Sequence, residues 1–140
     1  MKREKSLANW RIAFWSLFVS WVIGATLNME HVDGGFLTNY LADLTFPPWF
    51  YIYIRGLSSK QGIPRLILVG KWFGQNPERA AISIFSIGTI AELKTMYWPD
   101  GPFAGTFDFM DIIAYATGLL ICYLFDKHSA TKFNTSLLSE

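Results

Sequence analysis

Four carboxylates that lie in or beside long apolar segments are the residues of this chain best suited to chemistry. They are Asp43, Glu92, Asp108 and Asp111. Asp43 stands out, because it is the only charged residue within 36–54. A charged side chain inside hydrocarbon is costly, so an ionisable group placed there is a functional candidate by default. The chemistry to expect is the binding of a cation, a proton or an amine headgroup.

The residues around Asp43 extend this candidate site. Asn39 lies one helical turn before Asp43 and therefore on the same face. Pro47 lies one turn after it and is followed by Pro48. The two prolines remove the backbone donors that would pair with the carbonyls of residues 43 and 44, so we expect a helix that is broken beside Asp43. The alternative is that Asp43 only forms a hydrogen bond that holds the helices together.

The other acids lie near the ends of two apolar segments. Glu92 lies about one turn before Tyr97, and Asp108 and Asp111 precede the last apolar segment, where helix capping is their alternative role. If the apolar segments span a membrane, all four acids fall on its outer side, with Lys94 as the only nearby cation. Such a ligand-binding cluster favours a positively charged partner.

The elements that must position these residues are four apolar segments. Residues 12–27, 80–91 and 112–125 contain no charged residue. Since a membrane helix needs about 17–25 mainly apolar residues, we predict an all-α bundle with four transmembrane helices at about 10–27, 36–55, 78–97 and 108–126. These form one domain, 1–126, and a polar cytoplasmic tail follows at 127–140. The alternative is a soluble helical bundle, but the first and last segments lack the polar face that it requires.

The basic residues support four spans with both termini in the cytoplasm. All of them except Lys94 then fall on one side, as the positive-inside rule requires, and Glu30, Asp33 and Asp100 lie opposite. The residues on the basic side are Lys2, Arg3, Lys5, Arg11, Arg55, Lys60, Arg65, Lys71, Arg79, Lys127 and Lys132.

Local signals define further features and leave two alternatives open. Residues 76–78, Asn-Pro-Glu, are typical of a helix start. Gly24, Gly88 and Gly118 predict close helix contacts, and most of the tryptophans and tyrosines are expected as interfacial anchors. Residues 1–27 also fit a signal peptide, although their apolar stretch is longer than is typical of one. Residues 63–73 fit either a helix in the plane of the cytoplasmic interface or a loop packed under the bundle.

Composition argues against several classes of function. A net charge of +1 without a basic patch argues against nucleic-acid binding. The single cysteine argues against a disulfide framework and a cysteine-based zinc site. No predicted span contains a histidine, so bound haem or chlorophyll is not expected, and we predict neither a cofactor nor a metal. We assign no catalytic residue, because no phosphate-binding, nucleophile-elbow or zinc-protease motif occurs.

The stretch from residue 91 to 120 resembles the end of the VanZ-like family of small polytopic membrane proteins. That family shows a glutamate near the end of one span, then a (T/S)-F-D-x-x-D motif and a helix with a glycine. The matching residues are Glu92, Thr106, Phe107, Asp108, Asp111 and Gly118. Thr95, Gly105 and Tyr115 stand where the family often has glutamine, a basic residue and asparagine. The resemblance implies a multi-pass protein of the bacterial cytoplasmic membrane, with a role in the cell envelope and no settled reaction.

Three functions are compatible with this sequence. The favoured one is an envelope protein, not an enzyme, that binds a lipid or lipid-linked headgroup at the acids. The second is an accessory subunit of a larger membrane complex, which would use its aromatic spans as protein contacts. The third is a small membrane enzyme that acts on a lipid with Asp43 or Glu92 as general acid or base. This enzyme would need a nucleophile or a metal, and the sequence offers neither.

Overall fold

The computed structural model describes residues 2–32, 34–59, 72–97 and 108–137. These residues form four helices and no strand: α1 (Lys2–Met29), α2 (Phe36–Arg55), α3 (Pro77–Tyr97) and α4 (Phe109–Leu137). The all-α prediction is therefore confirmed, and α3 begins at the predicted proline. The predicted in-plane helix or loop at 63–73 lies mostly outside the described residues, as do Asp33, Asp100, Thr106 and Phe107.

Two of the four helices are long and apolar enough to cross a membrane. They cover Glu4–Met29 and Phe109–Ser129 and correspond to the first and last predicted spans. The described helices α2 and α3 do not meet the same criterion. A signal sequence at the N-terminus would satisfy the same criterion as α1. The last helix continues to Leu137, into the segment predicted as a polar tail.

Helix α2 is the centre of the packing. α1 packs along α2, whereas α3 and α4 pack on a different side of α2 and on each other. Within the described helices, no Cα of α1 lies within 8 Å of a Cα of α3 or α4, so the bundle is open between α1 and α4. The buried core lies between α2, α3 and α4 and consists of Tyr51, Ile52, Ile54, Ala80, Ile84, Leu119 and Cys122.

Glycines allow the closest helix contacts, as predicted. A Cβ atom on Gly24 of α1 would lie 2.6 Å from the backbone nitrogen of Ala42. A Cβ on Gly118 of α4 would overlap the carbonyl oxygen of Leu44. At Gly88 of α3 the neighbour is a side chain, since a Cβ there would lie 3.3 Å from the ring of Tyr115.

The prolines do not break α2. This helix is continuous from Phe36 to Arg55, with Pro47 and Pro48 inside it, so the expected break beside Asp43 is wrong. A proline ring fixes φ near the helical value, but it removes a donor and crowds the carbonyl four residues before it, so neighbouring contacts must keep the helix intact. Here α4 supplies such a contact, because Gly118 packs directly on Leu44, whose carbonyl lacks the donor that Pro48 removes.

The contact between α1 and α2 is largely aromatic. Trp21 and Trp49 stack with their ring centroids 5.7 Å apart and their planes 7° from parallel. Phe18 lies 5.4 Å from the same Trp49 ring. Trp21 and Trp49 therefore take part in a helix contact, because offset aromatic stacking stabilises the pairing of two helices.

Candidate functional site

Tyr115 of α4 connects two of the predicted acids. Its hydroxyl oxygen lies 3.2 Å from Asp43 Oδ1 on α2 and 2.9 Å from Glu92 Oε1 on α3. A phenol carries one hydrogen, so it donates fully to only one carboxylate at a time. The second contact is satisfied when the hydrogen is shared or when that carboxyl carries a proton. Three helices thus meet at one hydroxyl group.

Tyr40 of α2 holds a third acid. Its hydroxyl donates to Asp108 Oδ2 at 2.6 Å. The other carboxylate oxygen of Asp108 accepts the backbone N–H of Met110 at 2.9 Å, so Asp108 caps α4. Asp108 lies just before the apolar span of α4, and the hydrogen bond from Tyr40, followed by that from Met110, lowers the pKa of its carboxyl. The capping role considered for Asp108 is therefore confirmed.

The fourth acid, Asp111, lies half-buried one turn before Tyr115 on α4. It is close enough to Asp43, Glu92 and Asp108 for their charges to interact. The four acids therefore converge at one end of α2, α3 and α4, and we call them the acidic cluster. Like charges held together repel one another, so the cluster favours the arrival of a proton or a positively charged group.

Asn39 and Lys94, the remaining predicted site residues, lie beside the cluster. Asn39 is exposed, one turn before Asp43, and its Oδ1 atom lies 3.3 Å from the hydroxyl of Thr38. Lys94 is half-buried and follows Glu92 by two residues, which places it about 200° further around α3. Both lie at the level of the cluster along their helices, and Lys94 lies on a different face of α3 from Glu92.

Tyr40 and Tyr115 are site residues that the sequence pattern did not single out. Tyr40 lies three residues before Asp43, and Tyr115 lies four residues after Asp111. Both spacings put the tyrosine and the acid on one helix face. A tyrosine one turn from an acid inside an apolar segment was the signal that could have found them.

A second polar cluster, formed by Tyr51, Arg55 and Asp126, lies at the other end of α2 and α4. Asp126 Oδ2 accepts hydrogen bonds from the Tyr51 hydroxyl at 2.7 Å and from Arg55 Nε at 2.8 Å. Arg55 Nη1 also donates to the backbone carbonyls of Gly74 and Gln75, at 2.7 and 2.9 Å. Because these groups bind one another and the backbone, we assign them to structure: they join α2, α4 and the residues before α3.

Comparisons with known proteins do not assign the chain to a family. No protein-family model, no curated protein and no solved structure matches the chain. Across the described residues, no group of three or more His, Cys, Asp or Glu side chains is placed to hold a metal ion. The geometry of the acidic cluster therefore carries the functional argument.

Proposed function

We propose that the chain is an integral protein of the bacterial cytoplasmic membrane with four spans and both termini in the cytoplasm. Two helices that are apolar enough to cross a membrane support this placement. The distribution of basic residues along the sequence supports the two additional spans and the orientation. In this orientation Asp43, Glu92 and Asp111 lie in the outer half of the membrane, Asp108 lies at its outer surface, and Arg55 lies at the cytoplasmic end of α2.

We further propose that this is a VanZ-like envelope protein, which binds a lipid or lipid-linked headgroup through the acidic cluster. The observation that carries the proposal is the hydroxyl of Tyr115 between Asp43 and Glu92. This hydroxyl holds two carboxylates from different helices at a short, fixed separation. A headgroup amine would replace part of their mutual repulsion with attraction, and the half-buried position strengthens that attraction relative to bulk water.

The test is native mass spectrometry of the full chain in a mild detergent, with phosphatidylethanolamine as the amine-bearing probe. We expect the unmodified protein to retain this lipid and Tyr115→Phe and Asp43→Asn to lose it. Asp43→Asn removes a charged partner of the headgroup amine, and loss of a hydrogen bond to a charged group costs about 1.5–3 kcal/mol, so the affinity of this variant should fall about tenfold or more.

A matched control is Tyr123→Phe on the same helix. The hydroxyl of Tyr123 lies 3.3 Å from Glu78 Oε1, away from the acidic cluster, so its removal should leave retention unchanged. Unchanged retention in a folded Asp43→Asn or Tyr115→Phe variant would contradict the proposal. Loss of folded protein in Asp43→Asn alone would instead assign Asp43 to holding the helices together.

A second candidate function is an accessory subunit of a larger membrane complex. The outward side of α1 favours it, because large apolar side chains there are exposed: Ile12 by 66%, Trp15 by 61% and Val19 by 52%. Exposed apolar surface of this kind suits either lipid or a partner helix. A stoichiometric protein partner, found in the same spectra after release from the native membrane, would favour this function over headgroup binding.

A further inference from the structure

A cleft separates α1 from α4, and α2 forms its floor. The cleft has a volume of about 490 Å³, within the range of about 300–1,000 Å³ that small-molecule sites occupy. It exists because, among the described helices, the backbone of α1 comes within 8 Å of α2 but not of α4. None of the residues that line it belongs to the acidic cluster.

The polarity of the cleft changes along its length. The walls run from Ser6 to Leu17 on α1 and, in the other direction, from Gly118 to Ser129 on α4. Ser6, Asn9 and Ser129 make one end polar, whereas Leu17 and Leu44 make the other end apolar. The eleven-residue distance from Ser6 to Leu17 corresponds to about 16 Å of helix, close to half of a hydrocarbon core of about 30 Å.

Two ionisable residues, Lys5 and His128, are next in sequence to residues at the polar end of the cleft, and His128 also lines a neighbouring surface pocket. Lys5 is exposed and precedes Ser6, and His128 is exposed and precedes Ser129. Glu4 is the one acid in the same turn of α1, and Lys127 is occupied by an ion pair with Glu78 at 3.2 Å. Hydroxyl and amide groups beside Lys5 and His128 are suited to the phosphate of a phospholipid, since phosphate offers several hydrogen-bond acceptors and negative charge.

We propose that this cleft binds one phospholipid of the inner leaflet. An acyl chain lies along the floor formed by Leu44, Pro48 and Ile52, and the phosphate lies at Ser6, Asn9 and Ser129. The length of the cleft, its polarity gradient and its basic neighbours all match such a molecule. This inference rests on the proposed membrane placement, but it does not depend on headgroup binding at the acidic cluster.

The experiment is native mass spectrometry of the purified full chain titrated with phosphatidylglycerol. Ala13 lines the cleft, so Ala13→Phe should fill it and weaken phosphatidylglycerol binding about tenfold, which is the effect of displacing about two methylene groups from apolar contact. Ala8 is exposed on the same helix and does not line the cleft, so Ala8→Phe is the matched control and should bind as the unmodified protein does.

A second variant covers the case in which Ala13→Phe does not fold. Asn9→Leu should reduce the preference for phosphatidylglycerol over diacylglycerol, which has the same chains and no phosphate. Equal phosphatidylglycerol binding by a folded Ala13→Phe variant would overturn the proposal. The proposal would also be overturned if a second copy of the chain, or another protein, binds in the cleft in place of lipid and if Ala13→Phe abolishes that binding. Asp43→Asn should leave phosphatidylglycerol bound. A failure of the headgroup proposal for the acidic cluster can therefore be distinguished from a failure of the proposal for the cleft.

Discussion

Tyr40 and Tyr115 give the acidic cluster its geometry. Each hydroxyl donates a hydrogen bond to a carboxylate in another part of the bundle. The distance is 2.6 Å from Tyr40 to Asp108 and 2.9 Å from Tyr115 to Glu92. A phenylalanine would fill nearly the same space but would remove the hydroxyl that donates to each of these carboxylates. At the residue scale, therefore, the phenol hydroxyls decide how the acids are held.

Tyr40→Phe should raise the pKa of Asp108 toward its ordinary value. The hydrogen bond from Tyr40 is the largest cause of the lowered pKa, and the Met110 contact remains in the variant. A ¹³C NMR titration of the aspartate carboxyl groups in detergent micelles measures the change. Tyr123→Phe should leave the titration unaltered, and an Asp108 titration that Tyr40→Phe does not move would refute this role.

The direction of the pH effect follows from the lowered pKa. A carboxyl whose pKa is lower in the folded state than in the unfolded state stabilises the fold at pH values above the unfolded pKa. That contribution is lost as the pH falls through the folded pKa. The contact of Tyr40 with Asp108 should therefore weaken in acid, and Tyr40→Phe should show a smaller loss of stability on acidification.

Among the elements, α2 is the helix that packs against each of the other three. It meets α1 through Gly24 and stacked aromatics, and it meets α4 through Gly118 and the pair of Arg55 and Asp126. Its continuity through Pro47 and Pro48 keeps Asp43 and Arg55 about 18 Å apart along one helix. The two polar clusters are thus held apart by a single element.

Gly118→Ala should destabilise the fold. The new methyl group would overlap the backbone carbonyl of Leu44, which cannot move aside as a side chain can. Overpacking of this kind costs about 1–3 kcal/mol, partly offset by the higher helix propensity of alanine, which is worth about 1 kcal/mol. Thermal unfolding in detergent measures it. Gly88→Ala is the control with a smaller expected effect, because its neighbour is a side-chain ring at 3.3 Å; an equal effect of the two would argue against the α2–α4 contact.

Asp126→Asn should destabilise the fold more than Gly118→Ala does. Asp126 is 4% exposed and pairs with Arg55 at 2.8 Å. Removing one charge of a buried pair leaves the other uncompensated and costs about 3–5 kcal/mol. The comparison is Glu78→Gln, since the ion pair of Glu78 and Lys127 has both side chains about half exposed and such pairs contribute only about 0–1 kcal/mol. Similar unfolding temperatures for the two variants would show that the Arg55–Asp126 pair is not a main support of the fold.

At the scale of the whole molecule, the bundle is asymmetric. α2, α3 and α4 form a three-helix unit that contains both polar clusters, and among the described helices the backbone of α1 lies close to that of α2 only. This arrangement leaves an apolar side of α1 exposed and opens the cleft between α1 and α4. Both surfaces suit contact with a bilayer or with membrane-embedded partners.

Reporter fusions test the proposed orientation. A reporter after Glu140 should be active as a cytoplasmic reporter, and one inserted after Gly34 should be active as a periplasmic reporter, because four spans place these positions on opposite sides. A reporter inserted after Ser59, between α2 and α3, should again be cytoplasmic. A periplasmic result at Glu140 would refute four spans with cytoplasmic termini, and with them the outer position of the acidic cluster.

The sequence by itself determined the helical class, the two helices that are apolar enough to cross a membrane, the start of α3 at Pro77 and the identity of the four acids. These follow from local rules, since uninterrupted apolar runs, capping residues and charge positions act within a few turns of chain. It also identified the glycines at helix contacts, because the absence of a side chain has few other uses inside an apolar helix.

The tertiary structure alone decided which side chains meet. Tyr115 binds acids on two other helices, and Tyr51 reaches Asp126 across 75 positions of the chain. It also decided that α2 passes unbroken through its prolines, because Gly118 of a distant helix supports that turn. Spacing along one helix fixes only which residues share a face. The partners of that face depend on how separate helices pack, and packing is set by the sum of many long-range contacts that no single segment contains.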